Sequence, residues 1–340
     1  MRLVTTLIVL LALQACAPVL KPGGPVQGDP SLTDNALIAR DGAVLPLQRW
    51  MPAGVQAGKP RAVIVALHGF NDYANAVAMP APFWANRGIA TYAYDQRGFG
   101  AAPHRGFWAG TKTMTGDLRD AVTAISRRHP QTPLYVLGVS MGGAVAMAAL
   151  AEGPIAGVAG AVLIAPAVWG RRHMNVFQRG TLWFLSNTVP NLKLTGEGLN
   201  IKPSDNIEML RALSRDPKIL RETRVDAIKG LVDLMDDAFA AGPLLGKTPV
   251  FVAYGLRDEI VPRVPTTDFM QSMKRPAGTR RAFYKSGYHM LLRDTGAEIL
   301  WRDIAAWITD PRTPLPSGAD VKGEELLARQ NRAGEIQAAE

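Results

Sequence analysis

The run Gly138-Val139-Ser140-Met141-Gly142 sets a serine between two glycines, directly after an apolar stretch over 134–139 and directly before a helical pattern over 141–151. A G-x-S-x-G segment between strand and helix is a sharp turn that lifts a serine hydroxyl clear of a sheet. Gly138 and Gly142 permit that sharp strand-to-helix turn. Serine is a poor nucleophile at neutral pH, so it needs a base, and the base needs an acid to orient it. Two histidines follow Ser140 in the chain, His173 and His289. His289 is the candidate base, because it comes just after the last expected strand, where a loop carries it over the serine. The acid is expected after the preceding strand, where Gly255-Leu256-Arg257-Asp258-Glu259 offers Asp258, with Glu259 as a solvated neighbour.

Acyl transfer through these groups passes through a tetrahedral oxyanion, which needs two donors aimed at the developing charge. The backbone N–H of Met141 is one. The N–H of Phe70 is the other, in the loop His68-Gly69-Phe70 that ends an apolar run over 62–67. His68, His104 and His129 precede the serine and read as structural or surface residues.

The elements that must hold these groups alternate. Strands are expected over 36–39, 44–50, 62–67, 89–94, 134–139, 161–165, 250–254 and 282–284. Helices are expected over 74–87, 114–128, 141–151, 264–274 and 294–308. Strands separated by helices of this length argue for βαβ units, hence a mostly parallel sheet flanked by helices. Between 168 and 242 the alternation stops, and only helical segments over 180–187, 205–213 and 225–240 are expected. That interruption reads as a helical cap inserted over the carboxyl ends of the strands, where sites in open α/β sheets lie. The α/β core then comprises 32–167 and 243–310, and 311–340 reads as a mobile or loosely docked tail.

A chain of 340 residues with 47% apolar composition buries a full core. The net charge of +9 comes from scattered Lys and Arg, which is a solvated basic surface or one drawn to an anionic membrane, not a nucleic-acid footprint. Cys16 is the single cysteine, which excludes internal disulfides and thiolate metal clusters. No metal or cofactor is expected. At the N-terminus, Arg2 is followed by an apolar stretch over 3–13, too short to span a bilayer and laid out like a secretory leader. Leu13-Gln14-Ala15-Cys16 resembles the lipobox of bacterial lipoproteins. That resemblance implies a leader over 1–16, lipidation of Cys16, and a Pro- and Gly-rich tether over 17–31. The protein is then expected in the bacterial cell envelope, anchored to a membrane and facing the periplasm, with secretion as the alternative.

Taken in order, His68-Gly69, the Tyr94–Gly100 segment, Gly138–Gly143, the loop around Asp258, and His289-Met290-Leu291 resemble the monoacylglycerol lipase and lysophospholipase branch of the α/β-hydrolases, also called serine aminopeptidase-like. The resemblance covers roughly 32–308. It implies a cofactor-free carboxylic-ester hydrolase acting on a lysophospholipid, monoacylglycerol or phospholipid through an acyl-enzyme. It also implies a cap that forms an apolar entrance for an acyl chain, for which Trp183 and Phe184 are the candidates. The family often continues its His-Gly with Gly-Glu-His, and here Phe70-Asn71-Asp72 stands instead. A peptidase or amidase using the same triad is the alternative, and would need cap carboxylates such as Glu208, Asp226, Asp233, Asp236 or Asp237 to hold a substrate amine. An anchored scaffold without turnover is the reading from another class.

Overall fold

The computed structural model describes residues 17–54, 59–246 and 248–339, and the leader expected over 1–16, with Cys16, lies outside them. The strands are β1 (Ser31–Leu32), β2 (Ala36–Ile38), β3 (Val44–Trp50), β4 (Ala62–Leu67), β5 (Ile89–Tyr94), β6 (Leu134–Val139) and β7 (Val158–Ile164). They continue with β8 (Lys193–Thr195), β9 (Glu222–Arg224), β10 (Val250–Gly255) and β11 (Arg280–Tyr284). The helices are α1 (Pro80–Ala85), α2 (Thr111–Arg128), α3 (Met141–Ala151), α4 (Val176–Thr188) and α5 (Ile207–Arg215), then α6 (Val225–Ala241), α7 (Arg263–Ser272), α8 (Glu298–Thr309) and α9 (Ala319–Ala339).

Nine strands form one sheet in the order β1-β2-β3-β5-β4-β6-β7-β10-β11. From β5 to β11 all neighbours are parallel, while β1, β2 and β3 add an antiparallel edge. Central β4 shows why the strands read as unbroken apolar runs. Ile64 and Ala66 pack into one layer with Trp84 of α1 and Trp307 of α8, and Val63, Val65 and Leu67 pack into the other with Leu118 of α2 and Met147 of α3. With both faces covered, no position on the strand is left for a polar residue.

The chain runs from β4 outward to β5 and then returns to place β6 on the other side of β4. This reversal is a topological switch point, and the two loops leaving β4 and β6 open a crevice between them. Leu67, the last residue of β4, lies in register with Gly138, the last but one of β6.

Four segments differ from the sequence-based expectation. The helix expected over 74–87 is a 3₁₀ turn at Ala74–Val77 followed by α1. Pro80 has no N–H to continue a helix, and starts one instead. The insertion 168–242 is not all helical, because β8 and β9 pair antiparallel. Three residues per strand are too few for a period-2 pattern. Its last helix, α6, also belongs partly to the core, with Leu234 and Ala238 fully buried.

The segment 17–31 is docked along the core rather than hanging as a tether. Lys21 N–H donates to the Trp108 carbonyl (2.9 Å), Gly23 N–H to Thr113 Oγ1 (3.1 Å) and Val19 N–H to Asp226 Oδ2 (3.1 Å). An extended Pro/Gly segment has its backbone groups free, and here the core satisfies them. Finally, 311–340 carries α9 and is not a loose tail. Arg281 of β11 donates from Nε to Glu324 Oε1 (2.8 Å), and Leu327 is 2% exposed. At Gly323 the helix approaches β11 so closely that a Cβ would lie 2.2 Å from the Arg281 carbonyl. The buried positions of α9, Ala319, Asp320, Gly323 and Leu327, carry one large apolar side chain between them, which is why helical periodicity did not reveal the docked face.

Candidate active site

The serine sits where β6 turns into α3. Its backbone is at φ 50° and ψ −113°, a conformation that L-residues avoid. The turn exists because its flanks are bare. A Cβ on Gly138 would lie 2.4 Å from the Gly142 carbonyl oxygen, and a Cβ on Gly142 would lie 2.4 Å from that of Leu67. Ser140 N–H donates to Ile164 O (2.9 Å), which ties the strained residue to β7.

Asp258 and His289 stand on the loops after β10 and β11. The Asp258 carboxylate is fully buried, and its Oδ1 accepts from the N–H groups of Ile260 (2.8 Å) and Val261 (3.0 Å). Its other oxygen, Oδ2, lies 2.7 Å from His289 Nδ1. An ionised carboxylate only accepts, so Nδ1 donates to it, which orients Nε2 as the ring nitrogen left for a general base. Among the described residues, Ser140 Oγ and His289 Nε2 are not hydrogen-bonded in this structure.

The loop after β4 lies against the serine, with the Gly69 Cβ position 3.5 Å from Ser140 Cβ. His68, read from sequence as structural, shapes this loop. Its Nδ1 donates to the Gly69 carbonyl (2.7 Å), and its Nε2 accepts from Gln96 N–H (2.9 Å). Burial lowers its pKa and keeps the ring neutral, as that pair of bonds demands. The N–H groups of Phe70 and Met141 find no backbone acceptor among the described residues, so both remain available to an oxyanion.

A family model described as "Serine aminopeptidase, S33" matches residues 58–296, well over half of the chain. This chain belongs to that family. The monoacylglycerol lipase of Mycolicibacterium smegmatis is 25% identical over 264 residues, spanning 73% of this chain and 88% of that protein. The monoglyceride lipase of Mus musculus is 29% identical over 261 residues, spanning 76% and 84%. A soluble variant of the Saccharomyces cerevisiae monoglyceride lipase, solved with a substrate analogue, superimposes with a TM-score of 0.66 at 18% identity, covering 87% of this chain and 99% of that one. The fold of this S33 hydrolase is the α/β-hydrolase fold, a mainly parallel sheet flanked by helices.

Two residues that sequence reasoning passed over join the loops of the S33 hydrolase's site. Arg293 forms a buried ion pair with Asp72, the latter in the loop that carries Phe70 and the former in the loop that carries His289. Asp294 accepts from Ser204 Oγ (2.6 Å) and from Tyr288 N–H (2.8 Å), while Met290 N–H donates to Pro203 O (2.9 Å). Burial raises the Asp294 pKa. The contacts link Ser140 to Gly69, Asp72 to Arg293, and the His289 loop to the cap. The one signal available in sequence was the closeness of Arg293 and Asp294 to His289. Of the other candidates, Glu259 accepts from Lys202 N–H (2.7 Å) away from His289, and His173 pairs with Asp268 (2.8 Å). Arg97 bridges Asp41 and Asp117, a structural role.

Trp183 and Phe184 face outward from the cap, 68% and 57% exposed. They do not line its apolar cavity of about 440 Å³, whose walls include Trp169, Phe177, Leu182, Leu185, Leu194 and Val232. With 100° of turn per residue, the face of α4 that carries Leu182 and Leu185 leaves Trp183 and Phe184 pointing to solvent. Among the described residues no cluster of metal-ligating side chains occurs, and no helix is long and apolar enough to cross a membrane.

Proposed function

We propose that this S33 hydrolase cleaves the carboxylic ester of a lipid through an acyl-enzyme on Ser140. His289 takes the Ser140 proton and returns it to the leaving alcohol, and Asp258 orients the imidazole. The N–H groups of Phe70 and Met141 hold the oxyanion. The observation that carries this reading is the Asp258–His289 pair at 2.7 Å, its carboxylate buried and pinned by two backbone donors, on loops joined to the serine elbow. Relatives named monoacylglycerol and monoglyceride lipases support the lipid ester as substrate. The outward aromatics of α4 supply a surface on which a lipid aggregate seats.

The family's description also names an aminopeptidase, and three of the five candidate cap carboxylates are already engaged, leaving Glu208 and Asp237 without an ion pair among the described residues. Asp226 is held by Arg224, and Asp233 and Asp236 by Arg171. The test is kcat/KM on monomeric p-nitrophenyl esters against aminoacyl anilides, together with fluorophosphonate labelling of Ser140. Faster turnover of the anilides would overturn the ester reading, and no label on Ser140 would overturn the nucleophile.

Lipidation of Cys16 belongs to the same proposal. Its support is the apolar stretch over 3–13 followed by a single cysteine. A lipid there would hold the enzyme to a membrane of the bacterial envelope, facing the periplasm, and metabolic labelling with a fatty acid tests it.

A further inference from the structure

Arg105, Lys193, Arg215, Arg221 and Arg224 line one cleft of about 610 Å³ between the core loop after Gly98 and the cap segment leading into β9. The single carboxylate on its wall is Glu222, already bridged to Lys193 at 3.1 Å. Arg224 is neutralised by the buried Asp226 at 2.6 Å and stacks on the Phe107 ring. Arg105 donates to the Pro217 carbonyl (2.6 Å), which leaves its charge uncompensated. Among the described residues neither Arg215 nor Arg221 is paired with a carboxylate, and the nearby Asp216 is engaged by Tyr73 Oη (2.7 Å) and Lys218 N–H (2.8 Å). Three guanidinium charges therefore share a concave site with no free carboxylate on its wall, which gives it a positive potential.

The cleft also touches the loop that carries Phe70. Leu220 N–H, on its wall, donates to the Asn71 carbonyl (3.0 Å), and Asn71 Nδ2 donates to Thr223 Oγ1 (2.7 Å). Asn71 directly follows Phe70. The loop that touches Ser140 at Gly69 thus touches the cationic cleft two residues later. Guanidinium forks match phosphate oxygens in pairs, and they are less strongly hydrated than ammonium groups.

Building on the lipid-ester reading, we infer that this cleft binds the phosphate of the substrate headgroup, with Arg105, Arg215 and Arg221 as its ligands. The preferred substrate is then a monoacyl glycerophosphate ester, not a neutral monoacylglycerol.

The test compares kcat/KM for a short-chain lysophosphatidate and the monoacylglycerol of the same acyl chain, both below their micellar concentrations. Wild type is set beside Arg215→Ser/Arg221→Ser and Arg215→Lys/Arg221→Lys, with thermal melting as the folding control. The expected result is a wild-type preference for the lysophosphatidate that falls about tenfold in the serine variant and partly survives in the lysine variant. Glycerol 3-phosphate should compete in wild type and lose that effect in the serine variant. Wild-type preference for the monoacylglycerol, or a ratio unchanged by the substitutions, would overturn the subsite. A ratio that changes only on anionic vesicles would assign the arginines to a bilayer surface, and competition by inorganic phosphate with an unchanged lipid ratio would assign them to a free anion. Either result would overturn it. If wild type hydrolyses neither lipid, the lipid-ester reading itself fails.

Discussion

At the scale of single residues, the proposed triad is a unit whose members have no value alone. Ser140→Ala and His289→Ala should each lower kcat on the order of 10⁴-fold or more, and the double variant should be scarcely worse. Asp258→Asn should cost on the order of 10³-fold or more, because an amide at that place favours the wrong imidazole tautomer. Ester hydrolysis by purified, normally melting variants checks both, and near-normal turnover in either serine or histidine variant would remove the assignment. Arg293 acts differently, through Asp72. Arg293→Ala leaves a buried carboxylate uncompensated and should destabilise the fold by about 3–5 kcal/mol. Arg293→Met with Asp72→Leu should recover most of that stability yet keep kcat depressed, since the oxyanion and histidine loops lose their mutual register. Urea unfolding alongside kcat separates the two effects, and full recovery of kcat would make the pair merely structural.

At the scale of elements, two segments that looked like appendages close the core. Leu327 anchors α9 on β11, and Leu327→Ala should cost about 2–4 kcal/mol, read as a lower urea midpoint with ester turnover retained. A loss under half a kcal/mol would mean that α9 does not share the core's cooperative unfolding. The N-terminal segment is held through Asp41, whose carboxylate accepts from Gly24 N–H (2.8 Å) and from Arg97. The Arg97 hydrogen bond, against the opposing effect of burial, holds the Asp41 pKa down to about 2. A carboxyl depressed in the folded state adds stability above the ordinary carboxylate range of about 3.9, and loses it as pH falls through the folded value. The stability advantage of wild type over Asp41→Asn should therefore be full at neutral pH and shrink between about pH 4 and pH 2. An advantage constant across that window would mean the Arg97 contact does not perturb Asp41.

At the scale of the whole molecule, the cap and the N-terminus meet. Val19, three residues beyond Cys16, is hydrogen-bonded to Asp226 near the start of α6, so an anchor on Cys16 would hold this end of the cap within a few residues of the membrane. Cys16→Ser should release the enzyme into the soluble fraction with its turnover of monomeric esters intact. A variant that stays membrane-bound would argue for another anchor. The outward Trp183 and Phe184 bear on the same geometry. Trp183→Ser with Phe184→Ser should leave short monomeric esters unaffected and lower turnover of dispersed lipid on the order of a hundredfold, because each buried aromatic contributes roughly 1.5–3 kcal/mol to insertion. Equal loss on both substrates would place these side chains at the acyl path after all.

The elbow was legible in sequence because its constraint is local. A serine between an apolar strand and a helix, flanked by residues without side chains, states its own geometry, and strand order then points to loops for Asp258 and His289. The parallel sheet was legible for a similar reason, since strands buried on both faces are apolar throughout. Fold class, the candidate nucleophile and the loops of its partners were thus determined by short-range pattern. Contacts between segments far apart in the chain were not. Asp72 and Arg293 are 221 residues apart and look like ordinary loop charges until the fold buries them against each other. Trp183 and Phe184 are apolar wherever they point, so only the packing of α4 decided that they face solvent. The cationic cleft draws Arg105 from the core and Arg215 and Arg221 from the cap, scattered basic residues whose charges gather only when the two layers close.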